Sequence, residues 1–201
     1  MLQKISFGAI CVIGLTFFSC NGNEEKKKDV SSNTTTNIQV AEAPIVPANE
    51  LAMLEKKFEQ DSLNFELRSV LAANYYSSGI LDKAAYHFLR VYEHDNKNLI
   101  ALSDLGNIYY DGQQFDNAIK YYEKALELDP KNINMKCDLA TCYMNINKLN
   151  KAIDILNENI KQDYNHSQSH YNLSVILKKT GKTAEAEEEM KVYDKLKSGG
   201  K

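Results

Sequence analysis

Tryptophan is absent from the 201 residues, arginine occurs only at Arg68 and Arg90, and there are nine glycines and three prolines. So few turn-formers cannot punctuate the many short strands of an all-β sandwich. Four cysteines are too few for a disulfide-stapled scaffold. The formal net charge of −3 lacks the basic footprint of a nucleic-acid binder. No GxxxxGK[ST], GxGxxG, GxSxG or CxxC spacing occurs, and no base can be assigned to a nucleophile, so the chain reads as a non-enzyme without a cofactor. What remains is 43% hydrophobic and 25% charged, the balance of a globular protein.

The run of residues 5–18 (ISFGAICVIGLTFF) carries no charge and follows Lys4. At that length it is too short to span a bilayer as a helix, which takes ~20 residues, and it has the length of a signal-peptide core. It ends at Phe17-Phe18-Ser19-Cys20, before the polar NGNEEKKKD. A small residue directly before Cys resembles a bacterial lipobox of the loose kind familiar in the Bacteroidota. That resemblance implies a signal peptide over 1–19, lipidation of Cys20 and attachment at the cell envelope, expected at the outer membrane with its side undefined. Residues 20–46 show neither a 3.6-residue nor a 2-residue apolar period and carry no aromatics, so a disordered tether is expected.

After residue 64 the chain repeats itself every 34 residues. Leu71, Leu105, Leu139 and Leu173 share one column, and Ala84, Ala118, Ala152 and Ala186 another. Ala72, Gly106, Ala140 and Ser174 form a column of small residues; Phe88, Tyr122, Leu156 and Met190 form a large apolar one. Four units follow: 65–98, 99–132, 133–166 and 167–200. Within the second unit Leu102, Leu105, Gly106 and Tyr109 make one helical stripe, Gly112 breaks it, and Asp116 is expected to cap a second helix. Each unit is thus a helix, a tight turn and a helix, and neither helix can bury its stripe without neighbouring units. Small residues in facing columns let two helices approach closely, so a Phe at Ala118 would overpack the contact. Upstream, Leu51, Leu54 and Phe58 place a further amphipathic helix over 48–60, read as an N-terminal cap within 47–64, which brings the expected total to nine helices.

The stretch LGNIYYDGQQFDNAIKYYEKALELDP resembles the tetratricopeptide repeat (TPR). The resemblance implies an all-α fold, an α-solenoid of antiparallel helix pairs wound into a right-handed superhelix, with the first helix of each unit lining a concave groove. It departs from the family where Trp is usual, at Arg68, Leu102, Lys136 and His170.

On that expectation the inner face carries Ser69, Ala73 and Tyr76; Ser103, Asn107 and Tyr110; Cys137, Thr141 and Met144; and Tyr171, Val175 and Lys178. Tyr76, Tyr110, Met144 and Lys178 share one column and form a ladder along the groove. The partner-binding set is Tyr76, Ser103, Asn107, Tyr110, Thr141, Met144, Tyr171, Val175 and Lys178. Asp104 and Asp138 lie beside it and would repel a carboxylate, so a neutral to mildly basic protein or peptide is expected, with no nucleic acid and no small-molecule substrate. His166 and His170 are four apart but lack a third ligand, so no metal site is assigned. Cys137 and Cys142 are five apart on one helix, beyond the ~7 Å Cα reach of a disulfide, and should be free thiols. The expected function is a lipid-anchored interaction scaffold at the envelope. The alternative is a non-catalytic accessory of an envelope enzyme such as a cell-wall hydrolase.

Overall fold

The computed structural model describes residues 48–199; the expected signal peptide, Cys20 and the tether lie outside them. Among the described residues there are nine helices and no strands: α1 (Ala48–Gln60), α2 (Phe65–Ser77), α3 (Leu81–His94), α4 (Leu99–Asp111), α5 (Phe115–Leu128), α6 (Ile133–Asn145), α7 (Leu149–Gln162), α8 (Ser167–Lys179) and α9 (Thr183–Lys197). The invariant columns are the core. Leu71, Leu105, Leu139 and Leu173 are at most 6% exposed, and Ala84, Ala118, Ala152 and Ala186 at most 5%.

Three of the four first helices start on a side-chain cap. Asn64, Asn98 and Asn132 accept the backbone N–H of Leu67, Ala101 and Met135 at 2.9, 2.9 and 3.0 Å. This satisfies a donor that the first helical turn leaves free. Asp61 and Asp129 in turn accept from the Asn64 and Asn132 amides, each at 3.0 Å. In the last unit His166 replaces Asn, its Nδ1 lying 2.7 Å from Ser169 Oγ.

The second helices start differently, which corrects the expectation for Asp116. Their caps are Ile80, Gln114, Lys148 and Lys182, none with a capping side-chain bond. Asp82 and Asp116 lie inside the first turn, where a carboxylate complements the helix dipole. The turn is closed by backbone instead. Ile80, Gln114, Lys148 and Lys182 donate to the carbonyls of Tyr75, Tyr109, Tyr143 and Leu177 at 2.8–2.9 Å, a Schellman closure in all four hairpins. That closure needs a left-handed residue one position earlier. Gly79, Gln113, Asn147 and Gly181 supply it with φ of 72, 57, 61 and 81°. Gly112, expected to break the helix, is not that residue: the left-handed position in its hairpin is Gln113.

The helices stack in chain order, α1 against α2 through to α8 against α9. First helices also touch across units, α2 with α4 and α6 with α8, while second helices make no comparable contact with one another. The stack therefore bends toward its first helices, which form the inner side. Tyr75 and Tyr143 bond back to Glu55 and Glu123 on the preceding helix, the latter at 2.6 Å. Glu55 and Glu123 are two periods apart, so α1 stands in the register of a second helix.

Candidate binding groove

On α4 the inner stripe is Asp104, Asn107 and Asp111, spaced i, i+3 and i+7 so that all three face one side. Tyr76 reaches across from α2 and donates its hydroxyl to Asp111 Oδ2 at 2.6 Å. From behind, Tyr122 of α5 donates to Asn107 Oδ1 at 2.7 Å. Asn107 bonds the Asp104 carboxyl, which favours its charged form, but burial outweighs this and pushes Asp104 up to about 6. Burial raises the Tyr76 phenol far above its ordinary value, and the charges of Asp111, Asp104 and Asp138 raise it further. Burial likewise raises Tyr110, with Cys142, Asp111 and Asp138 contributing. Asp111 and Asp138 thus act on both phenols and Asp104 on Tyr76 as well, in a partly desolvated and electronegative surface.

The sequence-selected residues divide into three groups. Tyr76, Ser103, Asn107 and Tyr110 are half-buried on the inner side of α2 and α4. Ser103 spends its hydroxyl on the Ile100 carbonyl at 3.0 Å, and Tyr110 packs edge-on to Phe115 at 5.6 Å. Thr141 and Met144 are not accessible, which corrects their selection: they are 4% and 3% exposed. Thr141 donates to the Cys137 carbonyl at 2.9 Å and accepts from Asn172 of α8 at 3.1 Å. The cause is the stack itself, for α8 lies directly on α6 and closes the column that holds Met144. Tyr171, Val175 and Lys178 line a cleft between α8 and α9, with the Tyr171 ring 5.1 Å from Tyr193. Along the ladder column Tyr76 and Tyr110 thus stay half-buried, Met144 is covered by α8, and Lys178 is exposed.

Asp111 and Asn145 were missed as inner-face residues. Their signal was a column at the end of each first helix (Ser77, Asp111, Asn145, Lys179), all half-buried or exposed. Cys137 and Cys142 are free and buried, and burial with the nearby Asp138 charge raises the Cys142 thiol, leaving little reactive thiolate. Buried His170 lies 2.6 Å from Glu189 Oε2 and 2.9 Å from the Tyr164 carbonyl, tying α8 to α9 and the preceding loop. Among the described residues no cluster of His, Cys, Asp or Glu is placed to hold a metal ion, and no helix is long and apolar enough to cross a membrane.

Residues 100–132 match a tetratricopeptide-repeat family model, and residues 167–197 match a second one. Among solved structures, MamA MSR-1 is 22% identical and superposes with a TM-score of 0.67 over 75% of this chain and 87% of its own. MamA 41-end from Desulfovibrio magneticus RS-1 is 16% identical, with a TM-score of 0.70 over 75% and 85%. At these identities the likeness concerns the fold. No curated protein matches the chain. Hairpins of one length, stacked through invariant Leu and Ala columns and matched twice by repeat models, show that this chain carries tetratricopeptide repeats.

Proposed function

We propose that the chain is a lipid-anchored scaffold of the bacterial cell envelope that holds a basic segment of another protein against its inner face. Repeat proteins of this family bind protein partners. The observation that carries the finer reading is the convergence of Asp104, Asp111 and Asp138 on Tyr76. A lysine or arginine side chain entering there would meet carboxylates in a partly dehydrated surface, where Coulomb attraction is less screened than in bulk water. The same charges oppose an acidic tail. Tyr76, Asn107 and Tyr110 add polar and aromatic contact of the kind enriched at interfaces. Attachment rests on the sequence around Cys20, since a lipid anchor is what its lipobox-like context would supply.

Two experiments test this. Asp104→Asn combined with Asp111→Asn should weaken capture of the native partner and flatten its salt dependence; unchanged capture would reject the groove. Radiolabelled palmitate should enter the wild type and not a Cys20→Ala variant; label in both, or in neither, would reject the anchor.

A further inference from the structure

Between α8 and α9 lies a cleft of about 390 Å³ whose lining includes Tyr171, Val175, Lys178, Ala186, Glu187 and Met190. Subtract one period from each number and the result is Cys137, Thr141, Met144, Ala152, Ile153 and Leu156. Those residues form the seat in which α8 lies: Cys137, Thr141, Met144, Ala152 and Leu156 are each under 5% exposed, and Asn172 of α8 bonds both Cys137 Sγ and Thr141 Oγ1. The terminal cleft is the same seat one unit on, and no described helix occupies it. Its geometry is that of a helix receptor.

We propose that a second copy of this chain fills it, the two copies packing α8 and α9 against α8 and α9 about a two-fold axis. The argument is self-complementarity, which such an interface requires because the same patch serves both partners. Along α8, Tyr171, Val175 and Lys178 follow at i, i+4 and i+7, one stripe with an apolar centre, an aromatic ring at one end and a cation at the other. An axis through Val175 sets the helices antiparallel. It brings valine against valine and each Lys178 ammonium to the Tyr171 ring of the other copy, a cation–π contact. The Tyr171 ring is already held by Tyr193. Glu187 on α9 offers a carboxylate beside the incoming lysine. Among the described residues neither Lys178 nor Glu187 takes part in an ion pair within the chain, so both charges are available.

The test is the mass of the full chain in solution, by light scattering and sedimentation equilibrium, without any partner protein. The wild type should sediment at twice the chain mass as its concentration rises. Val175→Lys, which sets two ammonium groups at the axis, should return it to single-chain mass. Lys178→Glu, at an exposed position that folding does not depend on, should raise the dimer dissociation constant at least ~10-fold, with an unchanged circular-dichroism spectrum. A wild type that stays a single chain at every concentration, or a dimer indifferent to Lys178→Glu, would overturn the proposal. Neither variant alters Asp104, Asp111, Asp138 or Tyr76, on which the groove rests, so this inference and the groove stand or fall separately.

Discussion

Gly106 and Tyr122 offer the sharpest test of how the second hairpin is packed. A methyl group added at Gly106 would meet the Tyr122 ring at 2.5 Å from Cε1, 2.6 Å from Cδ1 and 2.9 Å from Cζ. Ordinary carbon contacts need about 3.5–4.0 Å. The ring has little room to retreat: Tyr122 is 2% exposed, and its hydroxyl is tied to Asn107. Overpacking of this kind costs ~1–3 kcal/mol, and a lost hydrogen bond adds ~1. Against that, Gly→Ala inside a helix contributes up to ~1 kcal/mol. Gly106→Ala should therefore destabilise by about 1–3 kcal/mol, a fall in Tm of roughly 2–12 °C for a chain of this size.

The chain carries its own control. In the same two columns Ala72 faces Phe88 and Ala140 faces Leu156, and all four residues are at most 1% exposed. Alanine is tolerated there when the opposite residue carries no hydroxyl anchor. In a Tyr122→Leu background Gly106→Ala should then be neutral or stabilising, a coupling of at least ~1.5 kcal/mol in a double-mutant cycle. Urea unfolding of the four chains measures it. Stabilisation by Gly106→Ala in the wild-type background, or an equal cost in both backgrounds, would refute the reasoning.

Other expectations follow from the same geometry. Asp104 titrates near 6 in the folded chain against an ordinary 3.8. The folded state therefore binds more protons than the unfolded chain between those values, and stability falls as pH rises through them. Asp104→Asn should stabilise by about 1–3 kcal/mol at neutral pH, with the gain gone below 3.8, as urea midpoints at the two pH values would show. Gln113 holds a left-handed φ of 57° that a side chain resists, so Gln113→Gly should stabilise by ~0.5–1 kcal/mol in the same assay. Conversely, Gly79→Ala should cost ~1 kcal/mol through backbone strain alone, because an added Cβ there meets nothing within 4 Å.

Much of the fold could be read in advance because a repeat displays its packing as columns. The Leu71 and Ala84 columns predicted the core, and Leu51, Leu54 and Phe58 predicted α1. The first-helix caps were equally visible and went unused: Asp61, Asp95, Asp129 and Asp163 form a third invariant column, followed three residues later by Asn64, Asn98, Asn132 and His166. The second-helix start misled because a polar residue near a turn resembles a cap even when backbone bonds already close the turn. Gln113 and Asn147 concealed the left-handed position because only Gly79 and Gly181 advertise it. The inner face was harder. Whether Met144 is open depends on where the following hairpin lies, a tertiary fact that spacing within one helix does not carry. The acidic character of the groove was legible at Asp104 and Asp138, but the contact of Tyr76 with Asp111 joins residues 35 apart and belongs to the stack.

Site-specific photocrosslinking tests the central claim most directly. A benzophenone side chain at Ser77, exposed at the inner end of α2, is compared with one at Tyr86, 53% exposed on the second helix α3. Crosslinks from position 77 to a lysine- or arginine-rich segment of another protein, with none from position 86, are the predicted result; crosslinks from position 86 alone would contradict it.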